Sequence, residues 1–191
     1  IVRGYKPEAL SPAGVKCFDN PDWENNGEIG SLVTATSVLK GDVVVAYGDV
    51  IFKRYILHLL LSSDAPITII VDSSRAFLQQ GQAVDRVQVA GPPSRPYEES
   101  ENWLEWMASD LPDDRANGEW IGMLRMRGEG TDLFREALAE VARAPDSGQK
   151  DLSAVFNHLA KSNPRAVRVV YVQGDWVDIN SLGDVVRSGD V

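Results

Sequence analysis

Ten consecutive residues constrain this chain more than any others: Val43-Val44-Val45-Ala46-Tyr47-Gly48-Asp49-Val50-Ile51-Phe52. The β-branched run lies between Gly41-Asp42 and Gly48-Asp49. It is too short for a buried helix and too uniformly apolar for a half-exposed strand. It therefore reads as a fully buried strand that stops at a carboxylate and then turns into a helix. In an open α/β sheet, ligands collect beyond the carboxyl ends of the strands, which places Asp49 at the mouth of a site. A role for Asp49 as the cap of the next helix stays open from this stretch alone.

The remaining pattern supports such a sheet. Apolar spacing predicts helices over residues 28–39, 53–62, 97–109, 133–141 and 152–159, with Asn180 or Ser181 capping a last helix through Leu182 and Val186. In the helix at 97–109, Trp103, Trp106 and Met107 are expected to face inward. Buried strands are expected at 67–71, closing on Asp72, and at 119–126 and 167–172, with a strand or hairpin arm at 83–90. Alternating strands and helices predict a Rossmann-like, three-layer α/β/α domain with a mainly parallel mixed sheet. The 191 residues are expected to form one domain. The chain starts on Ile1 in what reads as a strand end, so the expectation is a fragment truncated at its N-terminus.

A formal charge of −9 argues against nucleic acid or an anionic membrane as the main partner. A few local cations or a metal could still admit an anionic small molecule. The single cysteine, Cys17, cannot form an internal disulfide and suits a reducing cytoplasm. No apolar run approaches the roughly 20 residues that a membrane helix needs.

Two aspartates stand after strands, Asp49 and Asp178. Carboxylates converging above a sheet form a hard-oxygen site suited to Mg²⁺, which prefers carboxylate, water and phosphate oxygens. His58 and His158 lie on helices without a third partner, so a nucleophile triad has no support. Neither a Walker A loop nor G-x-G-x-x-G occurs.

Four segments, in order, carry a resemblance. Asn20-Pro21-Asp22-Trp23-Glu24-Asn25-Asn26 followed by Ser31-Leu32 resembles the "N-P-x-aromatic…N…S-L" segment of nucleotidyltransferases. These enzymes attach a nucleoside monophosphate to sugar phosphates, choline phosphate or phosphonates. Tyr47-Gly48-Asp49-Val50-Ile51-Phe52 is similar to their "GD-(I/V)-x-F" strand end. Gly118-Glu119-Trp120-Ile121-Gly122 is similar to "G-E-(F/Y)-I-G", and residues 176–184 resemble the closing "W-x-(D/E)-I-(D/N)-T-x-x-D". The strand Ile67-Thr68-Ile69-Ile70-Val71-Asp72 and the lack of a sugar-type "V-x-E-K-P" segment point to the cytidylyltransferase branch. Within it, the chain most resembles the domain fused to phosphoenolpyruvate phosphomutase in phosphonate biosynthesis.

The resemblance implies transfer of CMP from CTP to a phosphonate such as 2-aminoethylphosphonate, with release of pyrophosphate. It makes Asp49 and Asp178 the catalytic, Mg²⁺-binding carboxylates, and Tyr47 and Gly48 the nucleotide contacts. Asn26, Ser31, Glu119 and Gly122 become candidates for holding the acceptor, and Asp72 a partner for its amine. A homo-oligomer or a fused mutase domain is the implied protein partner. The family's opening "L-A-A-G-x-G-x-R" is absent, so the fragment is expected to be inactive alone. Sugar 1-phosphate or choline phosphate as acceptor, a non-catalytic nucleotide-binding remnant, and a glycosyltransferase are the competing readings. The last lacks the Asp-x-Asp it needs, since Val50-Ile51 follow Asp49. The acidic stretch 97–114 remains open as a lid, a docking surface or scaffold.

Overall fold

β-Branched runs become strands and leucine-spaced runs become helices along most of the chain. In the computed structural model, residues 1–74, 84–91, 101–187 and 189 are described. They form β1 (Val2–Arg3), β2 (Phe18–Asp19), α1 (Trp23–Thr34), β3 (Val43–Ala46), β4 (Val50–Phe52) and α2 (Arg54–Ser62). β5 (Ile67–Asp72), β6 (Arg86–Val89), β7 (Leu104–Ala108) and β8 (Gly118–Met126) follow. The chain continues through α3 (Glu129–Ala142), α4 (Leu152–Ser162), β9 (Val167–Val172), β10 (Trp176–Asp178) and α5 (Leu182–Arg187). Among the described residues, no helix is long and apolar enough to cross a membrane.

A mixed sheet of six strands forms the middle layer, in the order β7-β6-β8-β5-β9 with β3 also on β8. β3, β5, β6 and β9 run one way, and β7 and β8 run against them. Because antiparallel β8 sits centrally, β5 and β9 are the neighbours that pair in parallel within this sheet. β8 is buried at all nine positions. Its one edge is paired with β5, while the other is shared by β3 at Met123–Met126 and by β6 at Gly118–Glu119.

Helices cover both faces. α1, α3 and α4 bury Leu32, Phe134, Leu138 and Phe156 against one side, in the larger core. α4 is started by Asp151, whose carboxylate accepts from the Ser153 N–H at 3.0 Å. α2 buries Ile56 and Leu60 on the other side, with Ile70, Ile121, Met123 and Val172. This is the expected three-layer α/β/α arrangement.

Three expectations need correction. The stretch 43–52 is two strands: β3 ends at Ala46, and β4 leaves the sheet to pair antiparallel with β10. β3 is an edge strand, so Val44 is 39% exposed where full burial was expected. α1 begins at Trp23, five residues before the expected start, and ends at Thr34; a kink at Gly27 (φ 51°) lets it start inside the polar segment. Within the described part of 97–109, Leu104–Ala108 forms strand β7, with Met107 buried and Trp106 45% exposed, and Trp103 before it is half-buried. Residues 97–100 lie outside the described residues.

Candidate active site

The carboxyl ends of β3, β5 and β9 and the amino end of β8 meet at one end of the sheet. Asp49 occupies the β3–β4 turn and is exposed. Its carbonyl accepts from Ile179 N–H at 2.9 Å, which adds one rung to the β4–β10 ladder. The next rung pairs Val50 with Asp178. The backbones of Asp49 and Asp178 thus meet on neighbouring rungs from segments about 130 residues apart, and alternation along the ladder turns side chains of neighbouring rungs to opposite faces. One oxygen of Asp178 accepts from Asn180 Nδ2 at 2.7 Å, and the Asp49 carboxylate has no hydrogen bond among the described residues. Mg²⁺ takes one or two protein carboxylates and completes its shell with water and phosphate oxygens, so the chemistry of either carboxylate fits it. No group of three or more metal-ligating side chains occurs among the described residues.

Asp72 and Glu119 face each other across the β5–β8 pair. Asp72 is 3% exposed and satisfied, accepting from Ser74 N–H (2.7 Å), Gly174 N–H (3.1 Å) and the Trp176 indole N–H (2.7 Å). Glu119 is 6% exposed, and its side chain makes no hydrogen bond or ion pair among the described residues. Burial, then the charges of Asp72 and Asp178, push its carboxyl up to about 7.

A second acidic group lies on the α1 and α4 side. Gly122, at φ +78°, is the centre of a bulge in β8 that shifts the β5 register. Tyr47 N–H donates to the Gly122 carbonyl at 3.0 Å, and Trp120 N–H donates to the Asp85 carbonyl at 2.8 Å. The end of β3 and the start of β6 therefore converge over the bulge. The Tyr47 ring packs on Gly122, where a Cβ would come within 2.6 Å, and edge-on to Trp120 at 5.2 Å. The Tyr47 hydroxyl is buried beside Glu28, and burial, then the Glu28 carboxylate, raises its pKa. Asp85 is pushed up to about 7 by burial and by the neighbouring Asp151 and Glu28. Glu28 also accepts from Leu152 N–H at 3.0 Å. Glu28 and Asp85 were not singled out from the sequence, because nothing local links residues that meet only through the sheet.

The Asn-Pro segment closes on itself. Asn20, buried at 1% exposure, donates through Nδ2 to Asn26 Oδ1 (2.7 Å) and Ser31 Oγ (3.1 Å), and Asn26 Nδ2 donates back at 3.2 Å. Ser31 Oγ donates to the Gly27 carbonyl at 2.8 Å. Asn26 and Ser31 thus brace the kinked start of α1. Asn20, the hub, was overlooked; its signal was the Asn-Pro pair. Gly48 is exposed in the turn next to Asp49. Of the two expected caps of α5, Ser181 takes the role: its hydroxyl accepts from Asp184 N–H at 3.4 Å and donates to the Asp184 carboxylate at 2.8 Å.

No protein-family model matches the sequence, and no curated protein matches it. Solved structures do resemble it. A protein from Bacillus anthracis described as a glucose-1-phosphate thymidylyltransferase, in complex with a sucrose, aligns with a TM-score of 0.69 at 11% identity, covering 99% of this chain and 73% of its own. The inositol-1-phosphate CTP transferase from T. maritima aligns at 0.63 and 16% identity, covering 96% and 70%. A UTP-bound UGPase from Acinetobacter baumannii aligns at 0.64 and 17% identity, covering 93% of this chain and 60% of its own. At such identities the likeness is one of fold, and in each case this chain spans only part of the longer protein. The chain has the three-layer fold shared by these three proteins.

Proposed function

We propose that this chain is the metal- and acceptor-binding part of a nucleotidyltransferase. In this reading it moves CMP from CTP onto a small phosphonate or phosphate acceptor and releases pyrophosphate. The observation that supports the reading is that the β4–β10 ladder brings the backbones of Asp49 and Asp178 together at the end of the sheet, on a fold shared with proteins named for nucleotidyl transfer.

In the reaction, an acceptor oxygen attacks the α-phosphorus, a new O–P bond forms, and the α–β bridging bond breaks with its electrons leaving on pyrophosphate. A phosphonate or phosphate oxygen is already anionic, so no protein base is required. Asp49 and Asp178 would hold Mg²⁺, which when bound neutralises phosphate charge and aligns the two oxygens for displacement. The Asn20–Asn26–Ser31 knot fixes the start of α1. Glu28, Asp85 and Asp151 cluster on the other side of Gly122, where Asp85 carries its charge only above about pH 7. The cluster suits an acceptor with an ammonium group, such as 2-aminoethylphosphonate or choline phosphate.

A second reading, a sugar or cyclitol 1-phosphate acceptor, is favoured by the names of two structural relatives. Carboxylates also accept hydrogen bonds from sugar hydroxyls. The protein, assayed for pyrophosphate release with CTP, UTP and dTTP against aminophosphonate, choline phosphate and sugar 1-phosphates, separates them. The expected result is release with CTP and an amine-bearing acceptor, abolished in Asp49→Ala with the fold retained. Nucleotide binding without release would leave a binding module. Turnover of Asp49→Ala at the parental rate would show that the metal assignment is wrong.

A further inference from the structure

β10 is only three residues long and hydrogen-bonds to β4, outside the main sheet. A two-stranded ribbon this short is marginal alone, so contacts elsewhere must fix it. Residues alternate across a strand, which places Trp176 and Asp178 on one face of β10. Phe52, the partner of Trp176, packs with it against the α2-side core. That face therefore looks toward the sheet, and the influence of Asp178 on Glu119 agrees with it.

The tie at the sheet end is Asp72. Its carboxylate, on the last residue of β5, accepts from Gly174 N–H in the β9–β10 loop and from the Trp176 indole. The loop itself turns through Gly174 at φ +68° and Asp175 at φ +63°, the second a conformation that a side-chain-bearing residue adopts at a cost. Lys53 Nζ at 2.7 Å and Tyr55 Oη at 3.0 Å hold the Asp175 carboxylate in place from the start of α2. A carboxylate already accepting three N–H bonds has little capacity left for an acceptor amine.

We infer that Asp72 is a positioning residue: through the Trp176 indole it holds β10 so that Asp178 faces the site end of the sheet. This rests on the reading of Asp178 as a metal ligand. Partners that orient a metal ligand from behind are worth ten- to a hundredfold in metal affinity.

The 191-residue chain itself tests this, with Mn²⁺ alone as the probe, followed by electron paramagnetic resonance. Asp72→Asn and Trp176→Phe should each bind Mn²⁺ about ten- to a hundredfold more weakly. Amide cross-peaks in α3 and α4 should stay in place, and in Asp72→Asn the Trp176 indole cross-peak should move and its N–H exchange faster. Parental Mn²⁺ affinity in both variants overturns the positioning role, and an unmoved indole peak overturns the hydrogen bond on which it depends. If Asp72→Asn does not fold, Trp176→Phe, which keeps an aromatic ring, carries the test. If the parent binds no Mn²⁺, the metal reading of Asp178 falls. The anchor is then decided by the β10 amides, which lose protection in both variants if it is real and keep it if it is not.

Discussion

Arg125 and Glu119 lie on the same buried strand, and their surroundings treat them in opposite ways. The Arg125 guanidinium is engaged through all three nitrogens: it donates twice to Asp42, at 2.8 and 2.6 Å, to the Ser63 carbonyl at 3.1 Å, and to the Leu61 carbonyl. The Glu119 side chain makes no hydrogen bond or ion pair among the described residues that would offset its desolvation. The two differ in whether a partner among the described residues balances the buried charge. The sign of the Glu119 pH dependence follows. The unfolded carboxyl loses its proton near pH 4.5, but the folded one keeps it to about 7. Below pH 4.5 both states are protonated and nothing is lost. Between about 4.5 and 7, folding loses stability as pH rises, and Asp85 adds to the loss in nearly the same window. Glu119→Gln should therefore stabilise the protein at pH 8 by roughly 1–2 kcal/mol, discounted for the solvent that reaches the carboxyl, and change little at pH 4. Urea midpoints at the two pH values check this. An equal shift at both would mean that Glu119 acts through packing and not through its charge.

At the scale of elements, the hairpin β6–β7 shows why part of the chain was not legible. Leu104 and Met107 are both buried, three residues apart, which is a helical spacing. They share a face in a strand because the ladder skips Glu105: Gln88 pairs with Trp106 and Val89 with Leu104. The bulge gives a strand the apolar period of a helix. The run Ile67–Asp72 was legible because both of its faces and both of its edges are covered, so composition and environment agree. The run at 43–46 has a similar composition but sits at an edge, which local sequence does not encode. Asp49 and Asp178 could be recognised as strand-end carboxylates, but their pairing and the approach of Asp85 to Glu28 depend on long-range register. The hairpin is held on α4 by Asn157, whose carboxamide takes the place of a strand. It accepts from Met107 N–H at 2.8 Å and donates to the Met107 carbonyl at 2.7 Å. Met107 is wholly buried, so Asn157→Ala leaves two backbone groups unpaired in the core. The expected loss is about 2–4 kcal/mol by chemical unfolding. A loss under about 0.5 kcal/mol would mean that water or a shifted strand replaces both bonds.

The two sides of the sheet are unequal, and the molecule as a whole should respond accordingly. Among the described residues, twenty-five buried side chains form the core shared with α1, α3 and α4, against six in the core beneath α2. At roughly 1.5–3 kcal/mol for each large apolar side chain buried, the side carrying α2, β4 and β10 holds a small share of the stabilisation. The candidate metal carboxylates belong to this lightly packed side, because Asp178 rides on β10 and Asp49 precedes β4. The acidic group at Tyr47 and Asp85 belongs to the heavily packed side. A cooperative unit with few buried contacts opens at lower free energy than the rest. Native-state hydrogen exchange in low urea should therefore show the Ile56 and Leu60 amides of α2 and the Val177 amide of β10 exchanging through a partial opening. The Phe134 and Phe156 amides of α3 and α4 should exchange only on global unfolding. A common free energy and a common urea slope for both sets would make the molecule a single unit, and would leave the site as rigid on one side of the sheet as on the other.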